Sequence, residues 1–329
     1  MLKLFSERDI AKLVSKRPGE TKLGERINFL QDLESLEKIS AKFVIFGIPE
    51  DIGVRANFGK PGAATAWEDF LRSFLNVQEN DHNSGEDILL LGEVKTSEAM
   101  EKAGNIDAAD PNYFQKLGDL VAQLDSAVSE VVKKVILAGK FPVIIGGGHN
   151  NVYGNLKGAA SAFGRPVNVL NIDAHTDLRT TDYRHSGNGF SYALKNGFLK
   201  RYSVFGLHKN YTPQYIFDKN QELEDMNFSF LEDLTSDNYK STLAENLDFV
   251  KSEKFGLELD CDVMENFPSS AVSPAGLSIN QVRKLLQVVA KEKNCCYLHI
   301  CEAMASSHFA SGKALSYFVT DFIRERRYA

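Results

Sequence analysis

Seven short apolar runs constrain this chain more than anything else in its sequence: Phe43–Ile48, Ile88–Leu91, Val143–Ile145, Val167–Ile172, Ser203–Leu207, Phe255–Leu259 and Cys296–Ile300. Runs of this length, too short for core helices, read as strands buried on both faces. Helical patterns lie between many of them. The clearest is Leu117, Leu120, Val121, Leu124, Val128, Val131, Val132 and Val135, a stripe at i, i+3, i+4, i+7 spacing. Gly139 reads as its C-cap, and Pro142 opens the next strand. A second helix starts at Ser278, where Gln281 completes a capping box, and carries Val282, Leu285, Leu286 and Val289 on its apolar face. Strands alternating with helices imply an α/β fold, with a mostly parallel sheet covered on both faces. No repeat, low-complexity tract or Pro/Ser linker interrupts residues 1–329, so a single domain is expected. The polar segment Gln78–Asp87 reads as a surface loop.

Composition narrows the class. Hydrophobic residues make up 43% and charged residues 25%, and the net charge is -6. That balance argues against nucleic acid or an anionic membrane as the main partner and leaves a small molecule. The basic cluster Arg324, Arg326 and Arg327 reads as a solvated helix end. Cys261, Cys295, Cys296 and Cys301 show no CxxC spacing, and their apolar neighbours suggest buried free thiols of a reducing compartment. The first twenty residues are broken by charges and lack a signal-peptide core, and no run approaches a membrane span. A cytoplasmic protein is the expectation.

In such sheets ligands bind beyond the carboxyl ends of the strands, so the polar residues that follow each apolar run matter most. Three runs give the same kind of answer. Val143–Ile145 leads into Gly146-Gly147-Gly148-His149, which lacks the Lys-Ser/Thr of a phosphate-binding P-loop. Alone, it is as well explained by a tight turn and a structural histidine. Val167–Ile172 leads into Asp173-Ala174-His175-Thr176-Asp177-Leu178-Arg179. Alternate residues of an extended segment point the same way, so Asp173, His175 and Asp177 can converge. Two carboxylates held that close repel unless a cation lies between them. Phe255–Leu259 leads into Asp260-Cys261-Asp262, a second pair at i, i+2, while alternation sends Cys261 into the core. Four carboxylates and two imidazoles exceed the needs of one divalent ion and suit two. Such a pair lowers the pKa of a water held between them. Oxygen-rich ligation without thiolate favours two Mn²⁺ over a structural zinc.

These residues resemble the ureohydrolase superfamily of arginase, agmatinase and formimidoylglutamase over most of the chain. Phe46-Gly-Ile-Pro-Glu-Asp51-Ile-Gly53 with Asn57-Phe-Gly59-Lys-Pro-Gly62-Ala63 is similar to the family's first strand and glycine-rich loop. Gly146–His149, Asp173–Asp177 and Asp260-x-Asp262 resemble its three metal motifs, and Ser186-Gly-Asn188-Gly-Phe190 its substrate loop. The resemblance implies a three-layer α/β/α fold, often in trimers or hexamers. It assigns one Mn²⁺ to His149, Asp173, Asp177 and Asp260, and the other to His175, Asp173, Asp260 and Asp262. It further implies a bridging hydroxide that attacks a planar C–N centre, Asp177 passing the proton to the leaving nitrogen, and Glu302 holding the guanidinium or amidine head. Asn188 and Arg179 join Glu302 as expected substrate-binding residues.

The departures bear on the substrate. Glu265 and Asn266 stand where the third motif usually has Asp-Pro, which should change loop shape more than metal binding. Arginases have a histidine at the position of Phe190, and agmatinases one at Ser186; His185 lies one residue off. Gly-Gly-Gly-His, Asp177-Leu178-Arg179 and Ser-Gly-Asn followed by Phe look most like formimidoylglutamases. Arg179 continues the alternation from Asp177 toward the cleft mouth, where a guanidinium can grip a carboxylate and would oppose a cationic tail. Its bland alternative is an ion pair with Asp182. N-formimidoyl-L-glutamate hydrolysis, within histidine breakdown, is therefore the leading expectation. Arginase follows, then agmatinase or another guanidino-acid hydrolase. A one-zinc deacetylase of related fold and a non-catalytic protein with a relic site are the other classes.

Overall fold

The computed structural model describes residues 1–222 and 224–328. Nine strands form one sheet: β1 (Leu2–Leu4), β2 (Phe43–Gly47), β3 (Ile88–Val94), β4 (Phe141–Ile145), β5 (Val167–Ile172), β6 (Leu199–Leu207), β7 (Met226–Phe230), β8 (Phe255–Asp260) and β9 (Cys295–Cys301). Their order is β1-β3-β2-β4-β9-β8-β5-β6-β7. Only β1 pairs antiparallel, against β3; every other neighbour is parallel.

All seven expected strands are present. The two that were not expected, β1 and β7, are the two edges. Their residues are partly buried or exposed, β1 has three residues, and Met226–Phe230 alternates polar with apolar. A search for continuous apolar runs misses that pattern, because an edge strand is not covered as a central one is.

Side-chain alternation splits the core into two layers. Phe43, Ile45, Leu170, Ile172, Leu257, Leu259, Leu298 and Ile300 face helices Ala66–Phe74, Tyr239–Val250, Ile279–Val289 and Ser311–Arg326. Val44, Phe46, Val167, Val169, Tyr202 and Val204 face helices Tyr113–Leu137 and Val152–Phe163. This is the three-layer α/β/α arrangement. The expected stripe of the long helix is buried along its length. Its amide ladder closes as foreseen: Gly139 is left-handed at φ 70°, and the Lys140 and Gly139 N–H groups donate to Val135 and Ile136 carbonyls. The Ser278–Gln281 capping box forms in both directions, at 2.9 and 3.3 Å. Residues 78–87 form an irregular connection, as expected.

The C-terminal arginines are not simply solvated, which corrects the expectation. Arg326 donates to the Ala290, Glu292 and Cys295 carbonyls, Arg324 to His82 and Asn83, and Arg327 pairs with Asp87 at 2.9 Å. They tie the last helix to neighbouring loops. The four cysteines are free and buried. No helix among the described residues is long and apolar enough to cross a membrane.

Candidate metal centre

The polar residues gather at the carboxyl ends of β4, β9, β8 and β5, the four adjacent strands at the middle of the sheet. The chain leaves β4 on one side of this group, resumes at β5 on the other, and later fills the gap with β8 and β9. Such a topological switch opens a crevice between loops. Here it is a cavity of about 570 Å³ lined by His175, Asp177, Arg179, Asp260, Asp262 and Glu302, among others.

His149 is delivered by the glycine loop. Gly146 and Gly147 take φ 88° and 77°, and a Cβ on Gly147 would sit 2.4 Å from the Asn151 amide, so both conformation and space require glycine. The loop is held from below by Glu50, a fully buried acid that sequence reasoning passed over. Glu50 accepts hydrogen bonds from Gly148 N at 3.1 Å and from the Asn150 and Asn151 side chains at 3.1 and 2.5 Å. Its position just beyond β2, beside a second acid, Asp51, was the available signal.

The buried His149 Nδ1 faces three carboxylate oxygens: Asp173 at 3.2 Å, Asp177 at 3.0 Å and Asp260 at 3.2 Å. A second group forms where His175 Nδ1 lies 3.0 Å from Asp262 and 3.7 Å from Asp173. The ligand atoms of His149, Asp173, Asp177 and Asp260 lie within 4.8 Å of one another, and so do those of Asp173, His175 and Asp262. Asp173 belongs to both groups. Asp260 belongs to the His149 group, and its other oxygen accepts the Asp262 N–H at 2.9 Å. Asp173 accepts from His175 N at 2.7 Å in the same way. The Asn171 side chain steadies the remaining oxygen of Asp173 at 2.8 Å and is itself bonded to the Tyr202 hydroxyl.

The electrostatics show a site short of positive charge. Burial, with the charges of Asp262 and Asp173, pushes the Asp260 carboxyl well above its usual range. Burial disfavours charge on His175, yet the Asp262 and Asp173 carboxylates outweigh it and raise that pKa too. Acid and base are both driven to take up protons. His149 Nδ1 and Asp262 Oδ1 are buried without a hydrogen-bond partner. Orphaned donors converging among carboxylates are a donor set that fits divalent cations.

Convergence arises differently from the alternation expected. β5 ends at Ile172, and Asp177 reaches the cluster through a left-handed residue of its own, φ 49°. Glu302, φ 61°, turns the chain back just beyond β9. Its carboxylate accepts from His149 N at 2.8 Å and from the Ser270 hydroxyl at 2.6 Å. Burial first, then the charge of Asp262, pushes it up to about 7.

The substrate residues divide. Arg179 lines the cavity, and among the described residues no carboxylate lies within ion-pair distance of it, Asp182 included; Asp182 instead accepts from Thr180. Asn188 is not brought to the cavity. Its Oδ1 accepts from Arg184 and His185 N, and its Nδ2 donates to the Thr180 and Tyr183 carbonyls, so all its capacity is spent holding the loop. The Asp125–Arg184 pair, 2.8 Å, anchors that loop to the long helix. Ser186 lines the cavity and accepts from Asn57 at 3.1 Å. His185 lies outside the lining and accepts the Gly187 N–H at its Nδ1, 3.1 Å. Phe190 is buried edge-on against His149, 5.2 Å between ring centres. Thr176, Tyr211, Thr212 and Ser270 also line the cavity and were not foreseen; Thr176 sits within the Asp173–Asp177 motif, and the other three belong to no patterned motif.

Comparison with known proteins follows the same lines. An Arginase family model matches residues 41–315. A formimidoylglutamase of Salmonella heidelberg (strain SL476) is 28% identical over 267 residues, covering 78% of this chain and 76% of the relative. The crystal structure of Trypanosoma cruzi formiminoglutamase with Mn²⁺ superposes with a TM-score of 0.74 at 19% identity, covering 93% of this chain and 98% of that one. Formimidoylglutamase from Bacillus subtilis subsp. subtilis str. 168 gives 0.77 at 16% identity, covering 96% and 95%.

Proposed function

Because the chain belongs to the arginase family, we propose that it is a binuclear manganese hydrolase that converts N-formimidoyl-L-glutamate and water to glutamate and formamide. The observation that carries the substrate is Arg179: a guanidinium without an acidic partner, in the same cavity as the acid cluster and Glu302. The relatives named formimidoylglutamase support the same reading.

His149, Asp173, Asp177 and Asp260 would hold one ion, and Asp173, His175 and Asp262, with Asp260 beside them, the other. When bound, such ions supply a nucleophilic water at neutral pH. The protein supplies the rest. Glu302 is placed to take the amidinium head, exchanging its Ser270 hydroxyl contact for a substrate N–H. A cation there favours the ionised form of an acid that burial holds near 7. Arg179 grips a carboxylate of the substrate, with Ser186 and Thr176 beside it. Asp177, whose carboxyl burial raises above its usual range, accepts a proton from the attacking water. It returns that proton to the departing nitrogen, so that the glutamate amine leaves neutral. Asn188 serves as a positioning residue for this loop. The four free thiols fit a cytoplasmic setting, and the trimer or hexamer of the family is carried as part of this proposal.

One observation favours a second reading. Among the described residues Arg179 is the single Lys or Arg lining the cavity, which matches a guanidino acid with one carboxylate as well as a dicarboxylate. The purified protein with Mn²⁺, offered N-formimidoyl-L-glutamate, arginine, agmatine and guanidino acids in parallel, decides. The expected outcome is the highest kcat/KM on N-formimidoyl-L-glutamate. Arg179→Gln should raise KM about 10- to 100-fold with a smaller change in kcat, the loss of one charge-assisted contact. Urea release from arginine at higher kcat/KM, or one tight zinc per chain, overturns the reading.

A further inference from the structure

We propose that the buried Glu258–His299 pair is a positioning device: it fixes the His149 imidazole with Nε2 as its protonated nitrogen, and anchors the glycine loop that delivers it. This rests on the metal reading given above. Glu258 and His299 lie side by side on β8 and β9, at the centre of the sheet, and both are fully buried. Aliphatic side chains would fill those positions without the desolvation that a buried ionisable pair incurs, so the pair calls for a role other than stability.

The contacts supply one. Glu258 Oε2 is 2.5 Å from His299 Nδ1, and His299 Nε2 is 3.3 Å from the Gly146 carbonyl oxygen. His299 therefore bridges the Glu258 carboxylate to the carbonyl of Gly146, the first residue of the glycine loop. The same Glu258 oxygen lies 3.6 Å from His149 Nε2, a nitrogen without a hydrogen-bond partner. Its other oxygen accepts from Asn155 at 3.4 Å. A His149 protonated on Nδ1 alone would aim one lone pair at the Glu258 carboxylate and a proton into the cation site. The opposite tautomer turns its N–H toward Glu258 and leaves Nδ1 free to ligate. Phe190 packs edge-on against the same ring. Glu258 precedes Asp260 by two residues on one strand. One segment therefore carries both a ligand and the group behind another ligand.

The test titrates Mn²⁺ into metal-free wild type and Glu258→Gln by calorimetry, and records their electron paramagnetic resonance at two equivalents. The variant keeps the shape of the side chain and loses its charge. Expected is a 10- to 100-fold weaker affinity, as for other outer partners of metal-bound histidines. An uncoupled Mn²⁺ signal should appear where wild type shows a coupled pair. Affinity within threefold of wild type together with a coupled signal overturns the proposal. A wild type that binds no manganese overturns the metal reading instead. If Glu258→Gln fails to fold, proton NMR of the wild type loaded with diamagnetic Zn²⁺ gives the answer. A downfield, slowly exchanging His149 Nε2–H supports the pair's role, and a rapidly exchanging one overturns it.

Discussion

Asp177 and Glu302 share a backbone state that side chains other than glycine rarely take, φ 49° and 61°. Each costs about 1–2 kcal/mol, and at Asp177 the strain is compounded by the carboxylates of Asp173 and Asp260 around His149. Asp177→Asn keeps a residue that tolerates the left-handed region and removes a charge. It should raise the Tm of the metal-free protein by a few degrees while lowering kcat at least about 100-fold; thermal melts and rates measured together check both. His185 gives a second residue-level outcome. Burial, then the charges of Arg179 and Arg184, holds its pKa at about 4 against an ordinary 6.5. The unfolded chain binds a proton in that interval that the folded protein refuses. Stability is therefore full above about pH 6.5 and falls as pH drops toward 4. His185→Asn should remove roughly 1–3 kcal/mol of that fall, read from urea unfolding at pH 7 and pH 4.5, with little change in kcat. At this scale the six residues that cluster at the strand ends were legible because they follow apolar runs at fixed spacing. Asn188 was not, since its spacing could not reveal that Arg184, Thr180 and Tyr183 consume its hydrogen bonds. Glu258 and His299 were visible as polar residues inside two apolar runs, but a strand-end search looks past them.

Between elements, a close fit joins helices Tyr113–Leu137 and Val152–Phe163. A Cβ on Gly158 would meet the Ser129 carbonyl oxygen at 2.6 Å and Val132 at 2.8 Å. Backbone cannot yield as a flexible side chain does, so Gly158→Ala should lower stability by about 1–3 kcal/mol. Circular dichroism melts would show it. Because Val152–Phe163 follows His149 directly, the same change should also weaken Mn²⁺ binding. Central strands and amphipathic helices were legible as periodicity. The edges β1 and β7 were not, because their half-covered faces dilute the apolar signal. The C-terminal arginines misled for a related reason: their partners, from main-chain carbonyls for Arg326 to the Asn83 and Asp87 side chains, lie far along the chain and leave no mark in sequence.

The whole molecule separates its two ends. Every residue placed in the chemistry lies at or beyond the carboxyl ends of the strands, whereas Arg326 and the Arg165–Glu253 pair, 2.8 Å apart, close the turns at the amino ends. The cysteines obey the same division between inside and outside: all four are buried, and burial pushes the Cys295 thiol up to about 12. A thiol reagent at pH 8 should therefore label the native protein at none of the four, and all four after unfolding.

That burial makes the native cysteines silent to conjugation chemistry. A single substitution, Lys293→Cys, at the turn before β9, would give one addressable thiol at the end of the sheet farthest from the cleft. A fluorophore or surface tether attached there would report on the protein, or hold it with the cleft facing outward, while every native cysteine stays in place.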